Sequence, residues 1–514
     1  MSKIDSQRTY FGWQTERVNF LFGLTGRRAV LIMGAALAAM WPIAVSDARA
    51  GVVCWPVAVL LGVVALARVG GVTIDEWVTT AISYHIGRAQ NRHKFLSGAF
   101  APGHAPVASV DGTYKPKPRA ADLPGVLAPV RILEGHLPGS GDPLAVVHHR
   151  LDRTYTAVAR IRYPGIGLVD TSRQQQRVDG WGGLLAGLCT EGSPIVRIQA
   201  MQRLLPESGA ALRRWHADHL AEAAPDVARQ ATETLLAGAT LATSQREAFL
   251  AFTLDTKKAA SAIKSAGGGP QGASIVLGRQ LRVLTSSVAA ADLHVEGWLS
   301  PRELSEVIRT AYDPHSGRHL ADRRAAGQAG GLRPGVHPGV AGPAGAKPLP
   351  GSYRHDGGYS TTYWVYDWPR SQTYATVLAP LLGEGLHRRS FSMHVEPLGP
   401  REAEREVMRE RTSRDVAVRM RQRTGQIVPE HERAALERAA AQDAERAAGH
   451  GLVRFTGYLT VTVTREDDLE DACAALEADA AASRIEIRRM WMMQDTGFAA
   501  SALPLGFGLP KKRW

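Results

Sequence analysis

Three cysteines in 514 residues, Cys54, Cys189 and Cys473, are too few and too widely spaced for a disulfide framework or a zinc-type ligand set. Their rarity fits a reducing compartment. A phosphate-binding loop is missing too. The richest glycine run, Gly267-Gly268-Gly269-Pro270, is not followed by a Gly-Lys pair, so backbone amides and an ammonium cannot converge on nucleotide phosphates; a loop ending in proline before a helix accounts for it. No HExxH, GxSxG or CxxC constellation occurs. His148 and His149 adjoin on a stretch of strand character, where neighbours face opposite ways, so they cannot share one metal. With no catalytic, cofactor-binding or metal-ligating set, the chain is expected to work through interactions, without a cofactor and not as an enzyme.

Lysine is scarce beside alanine and arginine, a coding bias that says little about chemistry. Apolar residues are plentiful at 45%, enough for real cores in about two to four domains. The net charge of +12 and pI near 9.8 favour an anionic partner. Because the basic excess is spread along the chain, anionic lipid ranks first and nucleic acid second; direct nucleic-acid contact is not indicated.

Two uncharged apolar runs, Ala29 to Val45 and Gly51 to Ala67, flank the short hinge Ser46 to Ala50. Each holds 17 residues, about 26 Å of helix, near the lower limit for a bilayer core of about 30 Å. The pattern predicts a transmembrane hairpin over 29–67, with the tail 1–28 and the rest of the chain on one side. Arg17, Arg27 and Arg28 precede the first run and Arg68 follows the second, whereas the hinge holds Arg49 alone. Arg27, Arg28 and Arg68 are therefore the expected topology determinants, placing both termini in the cytoplasm of a two-span inner-membrane protein. The competing readings are a secretory signal, for which Ala48-Arg49-Ala50 offers a cleavage-like site, and a helical hairpin buried in protein.

Thr73-Ile74-Asp75-Glu76 has the form of a capping box and starts a helix that runs through Trp77, Ile82, Tyr84, His85, Arg88 and Arg92 toward Lys94. Its aromatic groups before a basic end suit a juxtamembrane helix (68–100) at headgroup level, or an ordinary helix packed on its own domain. A Pro/Gly-containing linker is expected over 101–124.

A first α/β domain (125–324) follows, with strands at 144–149, 154–161, 195–204, 248–254 and 293–298 and helices at 173–189, 208–237, 271–290 and 301–312. The Gly/Pro-rich stretch 325–351 reads as a flexible connector. In a second α/β domain (352–514) the same order returns: strands at 361–367, 389–396, 453–464 and 485–490, helices at 371–382 and 466–482, and a long charged helical insertion at 401–449. That insertion is either a solvated arm or a partner-binding helix pair. Two split βαβ units are the recipe for a ferredoxin-like sandwich. The expected fold class is thus α/β (α+β), a two-helix transmembrane hairpin followed by two ferredoxin-like split βαβ units with helical insertions.

Aromatics cluster at Tyr359, Tyr363, Trp364, Tyr366 and Trp368. Strand alternation separates Tyr363 from Trp364 and Tyr366, so one row is core and the other is either core or surface; Trp364, Tyr366 and Trp368 are the candidate docking surface.

The hairpin with Ile74-Asp75-Glu76-Trp77 resembles the PrgI-like or VirB-type two-span subunits of conjugation and type IV secretion machines. Tyr458 to Thr464, Ile485 to Arg489 and Ala502-Leu503-Pro504-Leu505-Gly506 are similar to the end of the N-terminal domain of VirB-type conjugation ATPases, without the motor half. As a whole the chain resembles actinobacterial integral membrane proteins of conjugation-like clusters, carried by Thr361 to Val365, Trp368-Pro369 and Val395-Glu396-Pro397. It is also similar in architecture to the EccE-type subunit of type VII secretion. The first resemblance implies a non-catalytic scaffold docking a secretion ATPase in trans, within a multiprotein complex on the inner membrane and its anionic lipids. The second implies a type VII membrane component. A membrane-tethered enzyme is the third reading.

Overall fold

Runs such as Ala248 to Phe252 are apolar without a break, the pattern of a strand buried on both faces, and a large sheet covered on both sides is what they build. The structure is a computed structural model describing residues 26–45, 48–69, 72–90, 93–97, 122–163, 165, 169–206, 215–221, 223–242, 244–317, 319–320, 323, 334–369, 376–383, 385–423, 433, 436–437, 439–441 and 451–508. The described parts of Glu16–Arg92 and Pro400–Leu452 form one compact unit, and those of His93–Gly399 and Val453–Trp514 another.

Helices α1 (Gly26–Val45) and α2 (Ala48–Leu66) lead through the strand pair β1 (Arg68–Val69) and β2 (Val72–Thr73) into α3 (Ile74–Ala89). The sheet unit begins with β3 (Phe95–Leu96) and continues with β4 (Val130–His136), β5 (Pro143–His149) and β6 (Thr154–Arg162). Next come α4 (Thr171–Leu188), β7 (Ile195–Pro206), α5 (Asp226–Ala242) and β8 (Ser244–Asp255). Short α6 (Ala260–Ser265), long α7 (Gly269–Ala290), β9 (His294–Trp298) and α8 (Pro301–Tyr312) complete the first half. The second half holds β10 (Gly345–Pro348), β11 (Tyr353–His355), β12 (Gly358–Asp367), α9 (Ala379–Leu382) and β13 (Arg388–Pro397). After α10 (Pro400–Arg423), which belongs to the other unit, come β14 (Val453–Val463), α11 (Leu469–Ala482), β15 (Glu486–Arg489) and α12 (Gln494–Ser501).

Among the described residues thirteen strands pair antiparallel in the order β3-β10-β11-β12-β14-β13-β7-β8-β6-β5-β4, with β15 also on β12 and β9 also on β6. The order β9-β6-β8-β7 recurs as β15-β12-β14-β13, and the copies join where β7 pairs β13, Ile198 opposite Val395 through Leu204 opposite Arg389.

This corrects the expected fold class. In place of two ferredoxin-like units behind a transmembrane hairpin there is one continuous antiparallel sheet, and its central core draws Phe249 and Tyr312 from one half together with Tyr458 and Phe498 from the other. The split expectation rested on the Gly/Pro-rich stretch 325–351. Within it, residues 334–351 are built structure: Gly345–Pro348 is a strand between β3 and β11. Its glycine serves close approach, since a Cβ on Gly342 would lie 2.0 Å from the Asp122 carbonyl oxygen. Of the 101–124 linker, residues 101–121 lie outside the described residues, and Leu123 is core.

One face of the sheet carries α4 and α7 over the first half, with Leu184, Leu277 and Leu281 on Leu250 and Phe252, and α11 over the second, with Leu476 and Ala480 on Tyr363 and Leu459. The opposite face carries α8, α12 and the residues after it, down to Phe507. Helix α8 starts with a complete capping box: Ser300 Oγ accepts from Glu303 N at 3.3 Å, and Glu303 Oε2 accepts from Ser300 N at 2.8 Å. At its other end, Arg203 and Arg388 donate to the Val307 and Thr310 carbonyls, a basic cap on the negative end of the helix.

Candidate membrane anchor and aromatic edge

Helix α2 has an apolar window from Arg49 to Leu66 of 18 residues with mean hydropathy 2.0. At 1.5 Å per residue that is about 27 Å, enough to cross a hydrocarbon core with slight thinning. Only 11% of the window is buried. Val52, Val53, Val59, Leu60 and Leu66 all point outward, so the helix lacks the protein cover that a soluble core helix requires. Helix α1 packs on it, and Trp55 Nε1 reaches the Ala39 carbonyl at 3.4 Å. The apolar part of α1, Val30–Val45, is shorter. Among the described residues there is therefore one helix long and apolar enough to span a membrane, and the expected two-span count, with both termini cytoplasmic, is not supported.

Arg28 is no free flanking charge. Its Nε lies 3.2 Å from Asp75 Oδ1, and both side chains are only 9% exposed. The pair ties the first turn of α1 to the first turn of α3, which also donates its Ile74 amide to the Ala67 carbonyl. Arg27 and Arg68 fall in α1 and β1, and their side chains lie outside the described residues. Replacing Arg28 by alanine leaves the Asp75 carboxylate buried without its cation and is expected to cost about 2 kcal/mol. The charge-swapped double variant should recover most of that loss in melting experiments on the detergent-solubilised protein.

At the sheet, Tyr363 and Val365 enter the core under α11, while Trp364 and Tyr366 are half-buried on the other face. Trp364 donates from Nε1 to Thr456 Oγ1 at 3.0 Å, its ring meets Tyr366 edge-on at 5.7 Å, and the Arg488 guanidinium sits 3.1 Å over Tyr366. Trp368 is not a docking residue: it is 1% exposed, edge-on to Phe455 and Phe391 at 5.5 and 6.5 Å. Alternation would have put it with Trp364 and Tyr366. A register shift between Val365 and Asp367 against β15 breaks the alternation and turns Trp368 to the other face.

Buried polar side chains gather where the halves meet, and several of them bond to the C-terminal segment of the chain. Gln199, fully buried on β7, donates to Ser392 Oγ and to the Ala500 and Leu503 carbonyls, and its Oε1 accepts from Gly506 N at 2.8 Å. Ser392 donates to the Ser501 carbonyl, His394 Nε2 to the Ala500 carbonyl, and Arg197 to the Gly506 carbonyl and Glu396. Burial lowers His394 to about 4. Burial likewise lowers His355 to about 4, where its ring bonds the Tyr312 carbonyl and Ser360. Sequence patterning missed this seam, because α12 and residues 502–508 carry no strong helix or strand signal.

The two adjacent histidines separate as strand geometry requires. His148 stacks on Tyr155 at 4.4 Å, whereas His149 turns to Asp152 and to Phe507 on the other face. Gly267, Gly268 and Gly269 all have positive φ and lead into α7 with Pro270 in its first turn. Among the described residues no group of three or more His, Cys, Asp and Glu side chains could hold a metal ion.

Residues 242–365 match the family model described as "Putative type VII ESX secretion system translocon, EccE". The matched stretch runs from the end of α5 through α8 and the linker into β12, the crossing from one half of the sheet to the other. Among curated proteins none matches the chain. The resemblance to PrgI-like and VirB-type subunits and to a VirB-type ATPase domain is thereby corrected, since the match falls on a type VII translocon family, and the type IV and conjugation reading goes with it. At the coarse level the chain is similar to a membrane component of a multiprotein protein-secretion complex.

Proposed function

We propose that this protein is a non-catalytic, membrane-anchored component of a type VII-like secretion translocon, held in the bilayer by α2 and presenting its thirteen-stranded sheet on the cytoplasmic side to neighbouring subunits, a separate motor ATPase among them. The observation that carries the reading is the coincidence in one chain of an exposed apolar α2 long enough to span a membrane and a sheet segment similar to a translocon family. Two features support the details. The polar side chains Gln199 and His394 at the centre of the sheet are engaged by the chain's own C-terminal segment, which supports a structural role for them. Cys189 and Cys473 are buried thiols far apart in the chain, which fits a domain in a reducing compartment.

Tagged full-length protein drawn from native membranes in mild detergent is expected to bring a large complex with it, and to resist extraction by carbonate. Isolation as a lone chain, or release by carbonate, would overturn the proposal. A cysteine placed at exposed Ser140 should react with an impermeant maleimide in inverted vesicles and be protected in right-side-out ones; the reverse would refute the cytoplasmic side.

A further inference from the structure

Helix α3 leaves an apolar stripe uncovered. Val78, Ile82 and Ile86, at successive i, i+4 positions, are 43%, 53% and 51% exposed. On the wheel they are flanked by Thr79 and Ser83 on one side and by exposed His85 on the other, with Arg88 in the last turn. Trp77, Ala81 and Tyr84, more sheltered, occupy the opposite face, and exposed Arg88 lies on their side of the wheel at the end of the helix. The helix starts beside the end of α2, fixed there by the amide of Ile74 on the Ala67 carbonyl and by the Arg28–Asp75 pair.

We propose that this exposed face of α3 is a second membrane contact, in which Val78, Ile82 and Ile86 enter the lipid surface and Arg88 meets anionic headgroups. A helix held within a few residues of a membrane span needs no separate recruitment to reach the headgroup layer. An apolar stripe bordered by hydroxyls and a basic end is the composition that binds there. The inference rests on α2 lying in the bilayer, and the test reads that premise separately.

Single nitroxide labels at Leu60→Cys on α2, Ile82→Cys on α3 and Ser140→Cys on the sheet unit are introduced in a Cys54→Ala background; Cys189 and Cys473 are buried. The full chain is reconstituted into phosphatidylglycerol-containing vesicles. Collisions with lipid-soluble oxygen relative to a water-soluble nickel chelate should be several-fold higher at Ile82 than at Ser140, with Leu60 higher still, and Arg88→Glu should lower the ratio at Ile82. If Leu60 reads as lipid while Ile82 matches Ser140, or is shielded from both reagents by protein, the contact is refuted and the anchor stands. An aqueous reading at Leu60 refutes both. A ratio at Ile82 unmoved by Arg88→Glu refutes the headgroup role.

Discussion

Lowering the pH from 6.5 to 4 is expected to cost the sheet unit about 3 kcal/mol for each of His355 and His394, from a shift of roughly 2.5 pH units in each. Both rings are neutral in the fold and titrate near 6.5 once unfolded, so the unfolded chain binds more protons throughout that window. Their contribution is intact above pH 6.5, declines as the pH falls, and is gone below about 4. The geometry explains why the charged forms are unwelcome. His394 donates its Nε2 proton to the Ala500 carbonyl, and among the described residues no group accepts a hydrogen bond from its buried Nδ1. In His355 the Tyr312 carbonyl can only accept, so Nδ1 carries the hydrogen and Nε2 accepts from Ser360 Oγ; protonation of Nε2 would force that hydroxyl to turn.

Charges around the two rings shape the window. Asp356 and Asp313 favour a charged His355 and Arg388 opposes it; Glu396 favours a charged His394 and Arg197 opposes it. Asp495 works in the other direction: burial raises its carboxyl, so protonation there relieves a cost and trims the net loss. Melting followed by near-ultraviolet circular dichroism between pH 4 and 7 measures the effect. His394→Gln, which keeps a donor for Ala500 and cannot titrate, should remove about half of the acid loss. A melting temperature flat across the window would refute the argument.

Gln199→Leu is expected to destabilise the sheet unit by about 4 kcal/mol, since the Leu503 carbonyl and the Gly506 amide lose their partner in the core and each orphaned group costs about 1–3 kcal/mol. Leucine keeps nearly the same volume, so packing contributes little to the difference. The residues after α12 then lose their polar tether and keep only the apolar contacts of Leu503, Leu505 and Phe507. Urea unfolding should show a lowered midpoint with an unchanged slope, and limited proteolysis should cut within 502–508 before the sheet. Gly506→Ala gives an independent reading: its φ of +64° is left-handed, and a Cβ there would lie 2.3 Å from Thr253 Oγ1. Loss of less than 1 kcal/mol in both variants would mean that the C-terminal segment does not lock the seam.

Local patterning carried far. The apolar run Ala248 to Phe252 of β8, the proline in the first turn of α8 and the alternation in β14 are visible in the chain because each depends on neighbours within a turn or a strand. Strands β4, β10 and β11 escaped notice. Gly135 in β4 sits where a Cβ would lie 2.2 Å from Ser274 Oγ, and β10 is a Gly-Ala-Lys-Pro tetrapeptide; both are strands because a neighbour's backbone is alongside, not because of their own propensity. Helix α12 escaped for a related reason, as its small residues matter only once the sheet lies beneath them. The candidate site divides the same way. The apolar character of α2 was plain, whereas the burial of Trp368 and the pairing of Arg28 were not, since one follows from a register shift and the other from a carboxylate 47 residues away.

Composition and periodicity by themselves determined that an apolar helix precedes an α/β chain whose strand and helix order runs twice, because those signals are carried within a few residues. Only the tertiary structure decided that the two runs share one sheet, that β7 meets β13, and that residues 502–508 close over the seam. Antiparallel edges and buried polar groups choose partners by geometry across the whole chain, as Arg197 does with Gly506 at a separation of 309 residues, and no local pattern encodes that choice.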